Sequence, residues 1–166
     1  MKNFKLLLSC RLFLAVVVPT LFASGVAEAQ SAVPFKGTFA ITELLQSPDE
    51  TEPCFQVGVI SGSGLATHVG KMTLVSRDCI IPMSATAFLF SSNELVFTVV
   101  ATGDQIFATY GGIFTIEGTL GVITGGYNID GGTGRYLHAS GVGTVQGVED
   151  LSTGQGSVQL TGTISY

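Results

Sequence analysis

The chain has 166 residues, 46% of them hydrophobic and only 11% charged, with 22 glycines, no tryptophan and a formal net charge of −5. That balance excludes a disordered chain, which has too little apolar surface to fold. The glycines follow no Gly-X-Y period, which excludes a collagen-like rod, and the length suits one domain.

The N-terminus reads as an export leader. Lys2, Lys5 and Arg11 precede the apolar run from Leu12 to Ala23, and Ala27-Glu28-Ala29 gives a small-x-small pattern with the cut expected after Ala29. A membrane span needs about 20 apolar residues, and Arg11 and Pro19 interrupt this stretch. Residues 1–29 are therefore expected to be a signal peptide and 30–166 a single domain, secreted or periplasmic, with no stable membrane insertion after cleavage. Such a domain keeps Lys36, Lys71, Arg77 and Arg135 against eleven carboxylates, a net charge of −7. Nucleic-acid binding needs clustered bases to displace counterions, and these four are scattered, so that partner is excluded. Cys54 and Cys79 remain as an even pair in an oxidising compartment. A bridge between them closes a loop of about 26 residues, worth roughly 3.5 kcal/mol by chain entropy. Two free thiols or a metal pair are the alternatives, although no histidine stands at ligand spacing.

Beyond residue 30 the apolar pattern has period two rather than 3.6. Phe35, Phe39 and Ile41 alternate with Lys36, Thr38, Ala40 and Thr42. Further strands are expected near 55–62, 65–76, 83–90, 94–101, 105–117, 119–129 and 141–148, and the last alternates Val158, Leu160 and Ile164 with polar residues. Ser47-Pro48-Asp49-Glu50, Ser91-Ser92-Asn93, Gly103-Asp104 and Ser152-Thr153-Gly154 carry turn chemistry between them. Eight or nine short strands without crossover helices imply an all-β antiparallel meander. Closure into an eight-stranded barrel, or nearly so, removes its edges; a two-sheet sandwich is the alternative. Sixteen of the 22 glycines lie between residues 101 and 166, which suits the sharp coiling of a small barrel.

The most distinctive segment is Asp130-Gly131-Gly132-Thr133-Gly134-Arg135-Tyr136, followed by Ala139-Ser140-Gly141-Val142-Gly143. It reads as a strand that ends, turns through positions needing positive φ, and re-enters a strand, so Gly131, Gly132, Thr133 and Gly134 are structural. The segment resembles the GG(T/S)G-x-(F/Y) stretch of the allene oxide cyclase and dirigent families, which are eight-stranded calycin-like barrels. Phe35 to Glu43 resembles their first strand. Ala66-Thr67-His68-Val69-Gly70-Lys71 and Gly103-Asp104-Gln105-Ile106-Phe107 resemble segments of small exported bacterial members. The resemblance spans most of residues 34–166 and implies a closed barrel. It also implies that Ala40 and Thr42 occupy the lumen positions where plant allene oxide cyclases carry a glutamate and an asparagine. Glu43 then lies on the opposite face, and no cyclisation of an allene oxide is expected. The hydrophobic-in reading instead places Phe39 and Ile41 inside, and alternation alone leaves both readings open.

No catalytic constellation emerges. Ser61-Gly62-Ser63-Gly64 has its glycines misplaced for a nucleophile elbow, and the run from Gly141 to Gly147 lacks dinucleotide spacing and a following helix. No cofactor and no metal are expected, because His68 and His138 lack a partner at i+2 or i+4. His68 is placed within a strand, and Asp49, Glu50 and Glu52 read as a solvated loop, with weak calcium binding the alternative. Asp104, Glu117 and Asp130 are the carboxylates considered for acid–base work. His68, Tyr110, Tyr127 and Arg135 are the candidate ligand-binding residues, with Tyr136 a further candidate at a pocket mouth. Arg135 suits anion binding or the anchoring of strand ends through carbonyl groups.

Three roles remain. The first is a non-enzymatic exported barrel that binds a small apolar ligand or a protein partner. The second is a lumen isomerase or cyclase of the allene oxide cyclase type. The third is a structural or assembly protein acting through its surface as a homo-oligomer. Charged side chains facing the lumen separate the first two.

Overall fold

A computed structural model describes residues 31–166; the expected leader and its cleavage site lie outside the described residues. Eight strands follow in order: β1 (Val33–Gln46), β2 (Gln56–Ala66), β3 (Gly70–Pro82), β4 (Ala87–Val99), β5 (Gln105–Glu117), β6 (Leu120–Gly132), β7 (Ser140–Asp150) and β8 (Gln155–Ser165). Each pairs antiparallel with its sequence neighbour, and β8 pairs with β1 from Thr42↔Gln155 to Val33↔Ile164, closing the barrel. The sandwich is thereby excluded. Among the described residues no helix is long and apolar enough to cross a membrane.

Alternation sets the faces. Phe35, Phe39 and Ile41 of β1 are buried while Lys36, Thr38, Ala40 and Thr42 are exposed. The hydrophobic-in reading is correct, and the placement of Ala40 and Thr42 in the lumen is not. A one-residue slip would drive three large apolar side chains into water, far too costly to accommodate.

The segments expected as separate strands near 83–90 and 94–101 are one strand. Between Ser92 and Leu95 the pairing of β4 with both neighbours shifts by one residue, a β-bulge. The Ser92 hydroxyl accepts a hydrogen bond from the Glu94 backbone N–H at 3.1 Å, which holds the extra residue. Inward positions switch there from even (Phe90, Ser92) to odd (Leu95, Phe97, Val99). The β2–β3 hairpin is also longer than expected: β2 runs to Ala66, and the turn falls at residues 67–69 rather than near Ser63.

One half of the barrel is filled. Phe39 and Phe97 have ring centroids 5.4 Å apart, Phe35 meets Phe97 and Tyr127 edge-on, and Met72, Ile106 and Ile164 complete the packing. The glycine turn seals this end. Gly131 and Gly134 have φ of 141° and 56°, a 3-10 turn covers Gly134–Tyr136, and buried Tyr136 plugs the barrel. Gly132 has ordinary φ but lies so close to the Gln105 carbonyl and Tyr136 that a Cβ would collide with both. Thr133 accepts from the Gln105 N–H through its hydroxyl at 2.8 Å and donates its own N–H to the Gln105 carbonyl at 2.9 Å.

At the other end the 47–55 loop is tied to β3 by the Cys54–Cys79 disulfide. Both Glu52 carboxylate oxygens accept from Arg77 at 2.9–3.2 Å, and Asp49 lies 3.9 Å from the same guanidinium. Glu52 is thus paired rather than merely solvated, and its carboxyl is held below the usual range by the Asp49 N–H and Arg77.

Two substitutions test this packing. Gly134→Ala is expected to lower unfolding free energy by about 1 kcal/mol or more, because alanine disfavours positive φ. Phe39→Ala should cost about 3–5 kcal/mol by opening the filled half. Urea unfolding midpoints measure both, and unchanged midpoints would contradict the assignments.

Candidate functional site

Toward the end where β1, β3, β5 and β7 finish, the barrel interior is not filled. A cavity of about 230 Å3 runs down from this mouth. Its wall is mostly aliphatic and aromatic, including Ile41, Leu74, Phe90, Phe114, Ile123 and Leu160. Its polar groups are concentrated in one band: Glu43 on β1, Ser76 and Asp78 on β3, Tyr110 on β5 and Glu149 on β7.

Each acid arrives on an apolar strand by period two. Glu43 follows Phe39 and Ile41, Asp78 follows Met72, Leu74 and Ser76, and Glu149 follows Val145. Neighbouring glycines give them room. A Cβ on Gly58 would fall on the Glu43 carboxyl, and one on Gly156 would press on Glu149 Cα and Cβ. From the far side Tyr110 reaches over, its hydroxyl donating to Asp78 Oδ1. Ser76 lies 2.9 Å from the Tyr110 hydroxyl and 2.9 Å from the Ser92 hydroxyl, so the β4 bulge joins the network.

Burial governs the proton positions. Loss of solvent pushes the Glu43 carboxyl up to about 9, reinforced by its hydrogen bond to Glu149 and by the charges of Glu149 and Asp78. At neutral pH Glu43 is therefore a neutral acid that donates to Glu149. No fixed N–H or O–H donor reaches buried Glu149 Oε2. Asp78 rises to about 6, also chiefly by desolvation, with the hydrogen bonds from Tyr110 and Ser76 opposing the rise. The Tyr110 phenol is pushed well above its ordinary value by burial and by the Asp78 charge. Tyr127 rises to about 12 through burial, and its hydroxyl also lacks a partner.

No protein-family model matches the chain, and no curated protein matches it in sequence. Solved structures do match. The pterocarpan synthase dirigent protein PsPTS1 aligns with a TM-score of 0.50 at 13% identity, over 84% of this chain and 96% of its own. The pterocarpan synthase dirigent protein GePTS1 aligns with a TM-score of 0.54 at 11% identity, over 93% and 98%. The fold is a dirigent-like barrel. At that identity the likeness concerns the fold alone.

In this dirigent-like barrel, two of the four candidate ligand-binding residues, Tyr110 and Tyr127, line the cavity. His68 and Arg135 lie at the sealed end. His68 is not in a strand: it is exposed at the β2–β3 turn with φ of 64°, and its carbonyl accepts from the Tyr166 hydroxyl at 3.3 Å. Arg135 stacks on the Tyr166 ring at 4.5 Å and on Tyr136 at 5.3 Å, anchoring the chain end through aromatic faces. Tyr136 is in the plug, not at the mouth. Of the carboxylates considered for acid–base work, Glu117 and Asp130 are exposed and Asp104 sits beside Gly134 at the sealed end. The lumen acids are Glu43, Asp78 and Glu149 instead. Their signal was present as a carboxylate in phase with an apolar alternation.

Stability should report the cluster. Glu43 and Asp78 bind protons more tightly folded than unfolded, so the folded state holds extra protons between each ordinary value and the raised one. Stability therefore falls as pH rises from about 4.5 to 9 for Glu43 and from about 3.8 to 6 for Asp78. Thermal midpoints are expected to decline from pH 5 to pH 9. Glu43→Gln should flatten that decline and be the more stable protein at pH 9; a parallel decline in both proteins would refute the assignment.

Proposed function

We propose that the barrel binds a small, largely apolar molecule in its lumen and acts outside the cytoplasm after loss of its leader. The observation that carries this is the unfilled half: a cavity walled by aliphatic and aromatic side chains with one band of polar groups. That is the usual make-up of a small-molecule site, where apolar walls supply affinity and a few polar groups fix orientation. The volume lies below the about 300–1,000 Å3 of drug-sized sites, which limits the ligand to roughly one ring with a short substituent.

One observation favours a lumen isomerase or cyclase as the second reading. Glu43 is held protonated against an apolar wall, and a raised carboxyl is how general acids work at neutral pH. The argument against acid chemistry rested on Ala40 and Thr42 being the lumen residues of β1, and they face outward. The structural relatives are themselves called synthases. Stereoselective conversion of an allene oxide by the purified protein, lost in Glu43→Gln, would move this reading to first place.

Binding is tested by ligand-induced stabilisation, which grows as RT ln(1 + [L]/Kd). Millimolar 2-phenylethanol is expected to raise the thermal midpoint, and Ile123→Trp, which fills the cavity, should remove the rise while remaining folded. Native mass spectrometry of freshly purified protein should show a co-purifying small molecule. No midpoint shift together with no retained mass would overturn the proposal.

A further inference from the structure

The lumen carries three carboxyl groups and no base. Among the described residues lining the cavity none is Lys, Arg or His. The cations of the domain are committed elsewhere: Lys36 and Lys71 are exposed, Arg77 is paired with Glu52, and Arg135 is stacked at the sealed end. Within the band, Tyr110 and Ser76 serve Asp78 Oδ1, and a single proton serves Glu43 and Glu149. Glu149 is 5% exposed and its Oε2 has no fixed donor. This is a buried, unpartnered acceptor on the cavity wall, in a carboxyl pair that no base on the chain faces.

The adjoining wall is aromatic. Phe90 and Tyr110 have ring centroids 6.0 Å apart, and Phe88 and Phe114 are 6.3 Å apart. Aromatic faces beside carboxylates attract cations by their quadrupole and reject anions. We infer that the lumen ligand is a small hydrophobic primary or secondary amine, bound as its ammonium ion with the charged head on Glu149 and Glu43 and the body against this aromatic wall. The inference rests on the lumen-binding reading and names the ligand class.

Other occupants satisfy fewer of these groups. A neutral alcohol would supply Oε2 with a hydrogen bond but bring no positive charge to a lumen lined by carboxyls and no base. A quaternary ammonium carries charge but no N–H for Oε2. Among the described residues no three acids are placed to hold a calcium ion together, and such an ion would leave the apolar wall unused. An amine supplies the charge, the donors and the apolar surface together.

The test is calorimetric titration of the purified protein near neutral pH with 2-phenylethylamine and its neutral isostere 2-phenylethanol. The amine is expected to bind about tenfold or more tightly, the margin of one charge-assisted hydrogen bond. Glu149→Gln, whose fold is checked by its thermal midpoint, should bring the two ligands within about threefold. Between pH 5 and pH 8 the amine's affinity should rise as Asp78, beneath the Tyr110 hydroxyl, gives up its proton, whereas the alcohol's should not. Equal affinity for both ligands would overturn the amine inference and leave lumen binding standing. A preference that survives the Glu149 substitution places the ammonium elsewhere and also overturns it. If neither ligand binds, the amine inference falls, and lumen binding falls with it when native mass spectrometry also finds no retained molecule.

Discussion

An eight-stranded barrel is just wide enough for its inward side chains to meet across the axis, so every large residue inside needs a small one beside it. The rest of this molecule follows from that constraint. Phe39 lies over Gly37 and Gly64, Phe114 over Gly121, and the Tyr127 hydroxyl over Gly143 and Gly162. The abundance of glycine therefore reflects space as much as curvature. A β-carbon at most of these positions would meet an aromatic ring or a neighbouring strand's carbonyl. Around Phe35, Phe39 and Phe97 the interior is solid. Toward the mouth the same spacing leaves the 230 Å3 that the side chains do not fill.

The acids use the same device, since Gly58 and Gly156 clear the places into which Glu43 and Glu149 fold. Their position is further controlled from outside the barrel. On β3, Arg77 and Cys79 point outward to Glu52 and Cys54, so the residue between them, Asp78, is held pointing inward. The disulfide and the ion pair thus fix a lumen carboxylate although neither touches the cavity wall. Burying these carboxyls without a base lowers stability at neutral pH, and core apolar residues of similar size would avoid that cost. Groups that are costly to the fold and converge on a cavity are what functional sites retain.

Most of the architecture was legible because alternation is a direct image of a sheet with one buried face. The strand count was less so. Ser91-Ser92-Asn93 has the composition of a turn, and the bulge after Ser92 reverses which parity faces inward, so periodicity breaks in the middle of a continuous strand. The β2–β3 turn was hidden because Thr67-His68-Val69 lacks turn glycines and uses a non-glycine residue with positive φ. The lumen tyrosines were identifiable as amphipathic residues on inward phases, and His68 and Arg135 were drawn in only by residue type. The carboxyl band was missed for a physical reason. Glu43, Asp78 and Glu149 stand far apart in sequence and meet only because β1, β3 and β7 all end at the same mouth.

That last point also explains how a cluster so unfavourable to bury comes to be buried at all. Side chains two residues apart on a strand share a face, so a strand cannot choose the orientation of its last residue independently of its first. On β1, burying Phe35 and Phe39 gains about 1.5–3 kcal/mol each, and the same register turns Glu43 inward. On β3, Met72 and Leu74 turn Asp78 inward in the same way; on β7, Val145 does so for Glu149. Solvating one of these carboxyls by slipping its strand would expose the apolar residues behind it, which is the larger loss. The solid half therefore acts as the folding half and imposes its phase on the open half. Substitutions among the lumen acids change charge and ligand preference without releasing the register that placed them, because the energy fixing that register resides at the sealed end.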